Sequence, residues 1–298
     1  MGLPAGLQGW ERGAHFRESD EGVRMTTLSD LIQIVNAPEA ERHWRLVELA
    51  VPSAAATIAG AVAARTWAAL PHRRLWKFGA RDPVTFALAT SDVKDTGDYM
   101  RAMTGSGQVR ALSHINASLS LAYGAREDRH VFLSAELEMK QELLHHHLLL
   151  LGGAKNNRWT AQCVEDLYPV TNFRFVEDLN TMELDGKLYN SKADREKAKA
   201  DQQQTTPATR PFEKRIDRDY CVVIAAPNPY NPEKRVMVFA GAHTYGTEGS
   251  ATLFTRTLRR RWRQPRNFIA FAEFGVSQGG LYGCKLIAYR TLPKLKTS

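Results

Sequence analysis

The chain has little cysteine: three residues in 298, Cys163, Cys221 and Cys284, far apart and in no C-x-x-C spacing. An odd, sparse set builds neither a disulfide framework nor a cysteine zinc site, and it fits a reducing compartment. Cys221 and Cys284 fall in apolar runs, where a thiol serves as a small hydrophobe. The first thirty residues lack the apolar stretch of a secretory signal. Residues 1–25 read as a polar tail, with Met25 as an alternative start. No glycine-rich segment runs into G-K-[ST], so there is no Walker loop. Gly105 and Gly107 are followed by Arg110 where G-x-G-x-x-G would need its third glycine. No repeat recurs at solenoid spacing.

What is present is an ordinary globular mixture, 43% apolar and 24% charged, with a net charge of +8. A basic balance admits nucleic acid, an anionic membrane or a phosphorylated ligand as partner, and equally a basic surface with no special partner. Residues 26–78 form a helical N-terminal region. Within it, 49–70 (LAVPSAAATIAGAVAARTWAAL) is long enough to span about 30 Å of hydrocarbon. Arg73, Arg74, Lys77 and Arg81 follow it, which by the positive-inside rule would keep the C-terminal domain cytoplasmic. Alanine, threonine and Arg65 argue instead for a helix packed on the main domain. The two expectations are a cytoplasmic protein, or one anchored in the inner membrane through 49–70.

From residue 79 the pattern becomes α/β. Short apolar runs at 84–89, 130–134, 147–151, 173–176, 220–225, 235–240, 267–273 and 284–289 read as strands. Helices are expected at 108–123, 157–167 and 247–260, the last capped by Thr247. Asp185-Gly186, between MEL and KLY, signals a β-hairpin, because both turn residues need positive φ. The stretch 191–215 has no apolar face and reads as a mobile insertion. Strands alternating with helices predict a doubly wound, Rossmann-like, mostly parallel sheet with an inserted β-hairpin, preceded by N-terminal helices.

In such sheets ligands sit beyond the carboxyl ends of the strands. The loop SDVKDTGDYMRAMTGSGQ sets Gly105, Ser106, Gly107 and Gln108 at a helix start, where backbone N–H groups and the helix dipole favour an anion. Asp92, Tyr99 and Arg101 could contact a base, ribose or phosphate. A second loop, LLLLGGAKNNRWT, offers Gly152 and Gly153 for close approach, Lys155 as a phosphate contact, and Asn156 or Asn157 as a helix cap or ligand contact. The third, VFAGAHTYGTEGS, repeats the logic with Gly241, His243, Tyr245, Gly246 and Thr247, buttressed by the turn-rich NPYNPE. In each loop the plain alternative is that the glycines serve tight packing and the asparagines cap helices. Glu136 follows a strand and could act as acid, base or ribose contact, or lie on a solvated acidic helix face. His145, His146 and His147 alternate across a strand, so they cannot all reach one ion and no metal is expected. Arg256, Arg259, Arg260, Arg261, Arg263 and Arg266 could meet nucleic acid or lipid headgroups, or form a solvated helix end.

The loop LLLLGGAKN running into a helix, with the earlier SD…TGSGQ, resembles the strand-end loops of TIR-like, SLOG-like and nucleoside deoxyribosyltransferase-like domains. The resemblance is architectural and covers residues 84–170. It implies a domain that senses or cleaves nucleotides, in bacteria often within antiviral systems. It also implies Glu136 or Glu248 as the carboxylate working on an N-glycosidic bond. Three functions follow: a nucleotide-like ligand sensor for defence or signalling; an enzyme cleaving or transferring at a nucleoside or dinucleotide; and a non-catalytic partner-binding protein.

Overall fold

The computed structural model describes residues 39–79, 82–97, 100–124, 129–135, 145–176, 181–191, 218–261, 263–277 and 280–293. The polar tail, most of the expected insertion, Tyr99 and Glu136 lie outside these residues. Two compact units separate between Ala63 and Ala64. The first is described only through part of helix α1 (Glu39–Trp76), whose last turns belong to the second.

Pro71 follows the stretch 49–70 and would be expected to end its helix, but α1 runs on to Trp76. Proline removes a helical hydrogen bond, yet beyond Pro71 the residues Leu75 and Trp76 are buried at 2% and 0% exposure, and their burial holds the final turn helical. Among the described residues no helix is long and apolar enough to cross a membrane. Of the span considered at 49–70, residues 49–56 and 58 lie outside the residues whose side chains are described. Alanine and threonine carry little apolar surface, and Arg65 adds a charge.

Strand β1 (Val84–Leu88) leads into a small hairpin, β2 (Asp92–Asp95) and β3 (Met100–Met103), and then into helix α2 (Ser106–Tyr123). Strands β4 (Arg129–Leu133) and β5 (His147–Leu151) follow, then helix α3 (Arg158–Thr171). A three-stranded sheet comes next: β6 (Phe173–Val176), β7 (Thr181–Leu184) and β8 (Lys187–Tyr189). The long strands β9 (Arg218–Asn228) and β10 (Asn231–Gly241) precede helix α4 (Thr244–Thr252). A π turn (Leu253–Thr257) and a 3-10 turn (Leu258–Arg260) continue α4, and β11 (Phe268–Ser277) and β12 (Gly280–Thr291) close the chain.

The fold is α/β around a seven-stranded sheet of order β12-β11-β9-β10-β5-β1-β4. The block β4-β1-β5-β10 is parallel. From β10 outward to β12 every pairing is antiparallel. The sheet is therefore less uniformly parallel than the sequence pattern predicts. Only Pro229 and Tyr230 separate β9 from β10, and only residues 278 and 279 separate β11 from β12; a parallel crossover needs roughly a dozen residues.

Alternate residues of each strand face opposite cores, as a pleat requires. Phe86, Leu88, Leu149, Leu151, Met237 and Phe239 pack with Trp76, with Ile115 and Leu119 of α2, and with Phe254 after α4. Ala87, Leu148, Leu150, Val236 and Val238 pack with Val164 and Leu167 of α3 and with the three-stranded sheet. Each such aliphatic or aromatic side chain contributes about 1.5–3 kcal/mol of burial. The Asp185-Gly186 turn forms as expected, with φ of 52° and 78°.

Candidate functional site

All four parallel strands deliver their carboxyl ends to one edge of the sheet. β9 begins there too, because it runs antiparallel to β10 and pairs Cys221 with Gly241. Three loops from distant parts of the sequence converge on this edge.

The starts of α2 and α4 abut. The Gly107 N–H donates to Thr244 Oγ1 at 3.1 Å, and that hydroxyl donates to Gln108 Oε1 at 3.0 Å. A Cβ on Gly107 would lie 2.0 Å from the Thr244 carbonyl oxygen, so glycine permits this approach. Gly105 precedes the helix in an extended conformation without a side-chain cap. Ser106 is exposed and Gln108 is buried. Arg110 of α2 reaches Glu248 of α4 at 3.3 Å, so the Glu248 carboxylate is engaged by a cation at 13% side-chain exposure.

Asp219, which sequence reading did not single out, holds the start of α4. Its Oδ2 accepts the Gly246 N–H at 2.5 Å. Its Oδ1 accepts the Tyr220 N–H at 2.9 Å and the Ser191 hydroxyl at 3.2 Å. The side chain is fully buried. Burial pushes its carboxyl up to about 7, against the opposing pull of these hydrogen bonds and of the His243 backbone. It acts as an N-cap supplied from another element. Helix α4 thus begins at Thr244, and Thr247, expected as the cap, is a buried interior residue. Gly241 and Gly246 exist for this contact: a Cβ on Gly241 would lie 2.3 Å from Gly246 C, and one on Gly246 would lie 2.3 Å from the Tyr220 carbonyl oxygen. His243 and Tyr245 are half-buried on the rim.

The Gly152–Asn157 loop ties β1, β4 and β5 together. Asn157 is fully buried: its Oδ1 caps α3 by accepting from Trp159 and Thr160, and its Nδ2 donates to the Ala87 and Leu151 carbonyls. The Asn156 carbonyl accepts from the Thr90 N–H at 2.8 Å and from Ser134 Oγ at 2.9 Å. Gly152 has φ of 114°, and a Cβ there would sit 2.4 Å from Ala89 Cβ. A Cβ on Gly153 would lie 2.7 Å from the Gly241 carbonyl oxygen, which joins this loop to the α4 loop. Lys155 and the Asn156 side chain are exposed above it.

Asp92 and Arg101 stand on the exposed β2–β3 hairpin that leaves β1, where sequence signals showed only a polar loop. NPYNPE is corrected: it forms the β9–β10 turn, at the opposite end of β10 from Gly241, and cannot buttress the edge. His147 likewise lies away from the edge. It stacks on Phe78 at 4.3 Å, donates from Nε2 to Asp82 at 2.9 Å and accepts the Arg235 N–H on Nδ1. A nitrogen that accepts an N–H is unprotonated, and burial lowers the His147 pKa despite the carboxylate.

The edge therefore presents two helix starts, an exposed lysine and half-buried aromatic groups over glycines whose Cβ positions are filled by protein. It offers dipoles and a cation to an anion. No protein-family model matches the chain, and no curated protein and no solved structure matches it significantly.

Proposed function

We propose that the chain is a binding module for a nucleotide-like small ligand, taken up at the carboxyl edge of its parallel strands. The sheet is read as doubly wound and Rossmann-like. In chain order its parallel strands stand second–first–third–fourth, and α2 and α3 contribute to opposite cores. That order supports a change of winding direction between β1 and β5, where ligands of open α/β sheets gather. The observation that carries the reading is the convergence, on that edge, of the Gly105–Gln108, Gly152–Asn157 and Gly241–Thr247 loops. The Ser106 end of α2 would take the phosphate with Lys155, and Tyr245 and His243 would flank a ring.

The test is a thermal-shift and calorimetric survey of the full chain with mono-, di- and cyclic nucleotides. A ligand at a hundredfold excess over Kd adds about 2.7 kcal/mol of stability. Lys155→Glu, an exposed reversal, should weaken binding without altering the unligated melting temperature. No shift with any class, from a protein that melts cooperatively, overturns the reading. Mass analysis of the recovered ligand separates a sensor from an enzyme.

A further inference from the structure

A cavity opens at the other end of the strands, between the last turn of α1 and the 3-10 turn that follows α4. It has a volume of about 210 Å³. Leu75 and Leu258 give it an apolar wall, and Arg74, Arg259, Arg260 and Arg261 surround it with no acidic residue in the lining. The guanidinium groups of Arg259, Arg260 and Arg261 around one small cavity repel each other, and an anion among them relieves that repulsion.

Two of the arginines are held in place. Arg259 Nη1 meets His72 Nε2 at 2.9 Å, and His72 Nδ1 meets Ser118 Oγ at 2.8 Å. An imidazole that accepts from a guanidinium is neutral, in keeping with the lowering of the His72 pKa by burial and then by Arg259. Arg261 lies 4.1 Å over the Tyr289 ring. Neither Arg259, Arg260 nor Arg261 pairs with a carboxylate among the described residues. Guanidinium forks fixed in this way match phosphate oxygens at low entropic cost.

The independent observation is Gln264. It lines the cavity at 6% exposure, and both its amide nitrogen and its amide oxygen are buried without a hydrogen-bond partner. The Gln264 side chain acts on the Tyr289 hydroxyl as a hydrogen-bond partner that lowers its pKa, but by distance and angle neither group completes a bond. A buried amide with so much unmet hydrogen-bonding capacity is rare and calls for a further partner. Arginine only donates, whereas this amide both donates and accepts. Inorganic phosphate, which keeps a P–OH near neutral pH, would satisfy the arginines and the Gln264 oxygen but leave the apolar wall of Leu75 and Leu258 bare. A phosphate ester carrying a hydroxyl satisfies the polar groups and covers the wall.

We propose that this cavity binds the phosphate of a phosphorylated polyol, with the ester's hydroxyl on Gln264 and its carbon skeleton against Leu75 and Leu258. The volume falls below the roughly 300 Å³ of the smallest drug-sized pockets, so it suits a phosphate with a short polyol rather than a whole nucleotide. The site lies at the opposite end of the strands from the loops discussed above and does not depend on their function.

The test is calorimetry of the full chain with ribose phosphate and with inorganic phosphate, alongside sedimentation with phosphatidylcholine vesicles with and without phosphatidylinositol phosphate. Ribose phosphate should bind more tightly than inorganic phosphate. Arg260→Glu, at an exposed position, should weaken it about tenfold or more, and Lys155→Glu at the other edge should leave it unchanged. Gln264→Leu should keep or raise the melting temperature, since it removes two unsatisfied atoms, while weakening the binding of ribose phosphate. Binding of free ribose phosphate assigns the site to a soluble ligand. Capture by phosphatidylinositol phosphate vesicles alone assigns the same chemistry to a lipid headgroup. No response to either probe, or equal responses in wild type and Arg260→Glu, overturns the proposal.

Discussion

The Asp219 carboxylate, in the first turn of β9, accepts the Gly246 N–H in the first turn of α4 at 2.5 Å while fully buried. Asn in place of Asp219 turns one acceptor into a donor facing N–H groups. Asp219→Asn should cost about 1–3 kcal/mol, measured by urea unfolding at neutral pH. The pH dependence has a definite sign. The folded pKa is raised, from 3.8 to about 7, so the native state holds the proton where the unfolded chain has lost it. The contribution is complete below about 3.8, declines as pH rises, and is gone above about 7. Subtracting the Asp219→Asn profile from that of wild type should show this decline; a difference that is flat between those values would refute it.

Gly107 meets the Thr244 carbonyl oxygen where a Cβ would stand, at 2.0 Å. Backbone cannot swing aside as a side chain can, so Gly107→Ala must push α2 from α4. We expect a loss of about 1–3 kcal/mol and disturbed amide signals at both Thr244 and Gln108. Gly60→Ala, where nothing lies within 4 Å of the added carbon, should instead raise helicity slightly through better propensity.

His147 should stay neutral through physiological pH, protonated on Nε2 and bare on Nδ1, because Nδ1 accepts the Arg235 N–H at 2.9 Å. Its folded pKa lies below the ordinary 6.5. The unfolded chain therefore takes up the proton first, and this residue's contribution is lost as pH falls below about 6.5. Imidazole nitrogen shifts followed across a pH titration report both tautomer and pKa. A midpoint at or above the ordinary value would contradict the hydrogen-bond assignment.

Cysteine alkylation should divide the three thiols by burial. Cys284 is exposed, whereas Cys163 and Cys221 are buried. Burial pushes the Cys163 thiol up to about 12 and raises Cys221 well above its ordinary value. Iodoacetamide on the native protein should label Cys284 alone, and denaturant should expose the other two. Peptide mass mapping reads the result, and native labelling of Cys221 would contradict the β9 assignment.

Much of the fold was legible locally. LLLL at 148–151 and VMVFA at 236–240 are apolar on both faces, and both became central strands buried on both sides. Asp185-Gly186 forced a turn through its φ requirement wherever the hairpin came to pack. Local rules failed where packing outweighed them. Pro71 does not end α1, because Leu75 and Trp76 are drawn into the core. The β2–β3 hairpin escaped notice because its residues are mostly exposed and show no apolar alternation.

The glycine-rich loops could be found in sequence, but the use of each glycine could not. Spacing alone does not distinguish a glycine that admits a ligand from one that admits Thr244 or Ala89, because the neighbour comes from far along the chain. Asp219 and Gln264 carried no signal at all, since a carboxylate or an amide reveals its burial only once other elements close over it. Sequence by itself determined the strands of the main sheet, most helices and the tight turn, all of which depend on residues a few positions apart. Tertiary structure alone decided which polar groups lost water, and so which edge gathers helix starts and which cavity gathers arginines, because desolvation and charge act through space between remote segments.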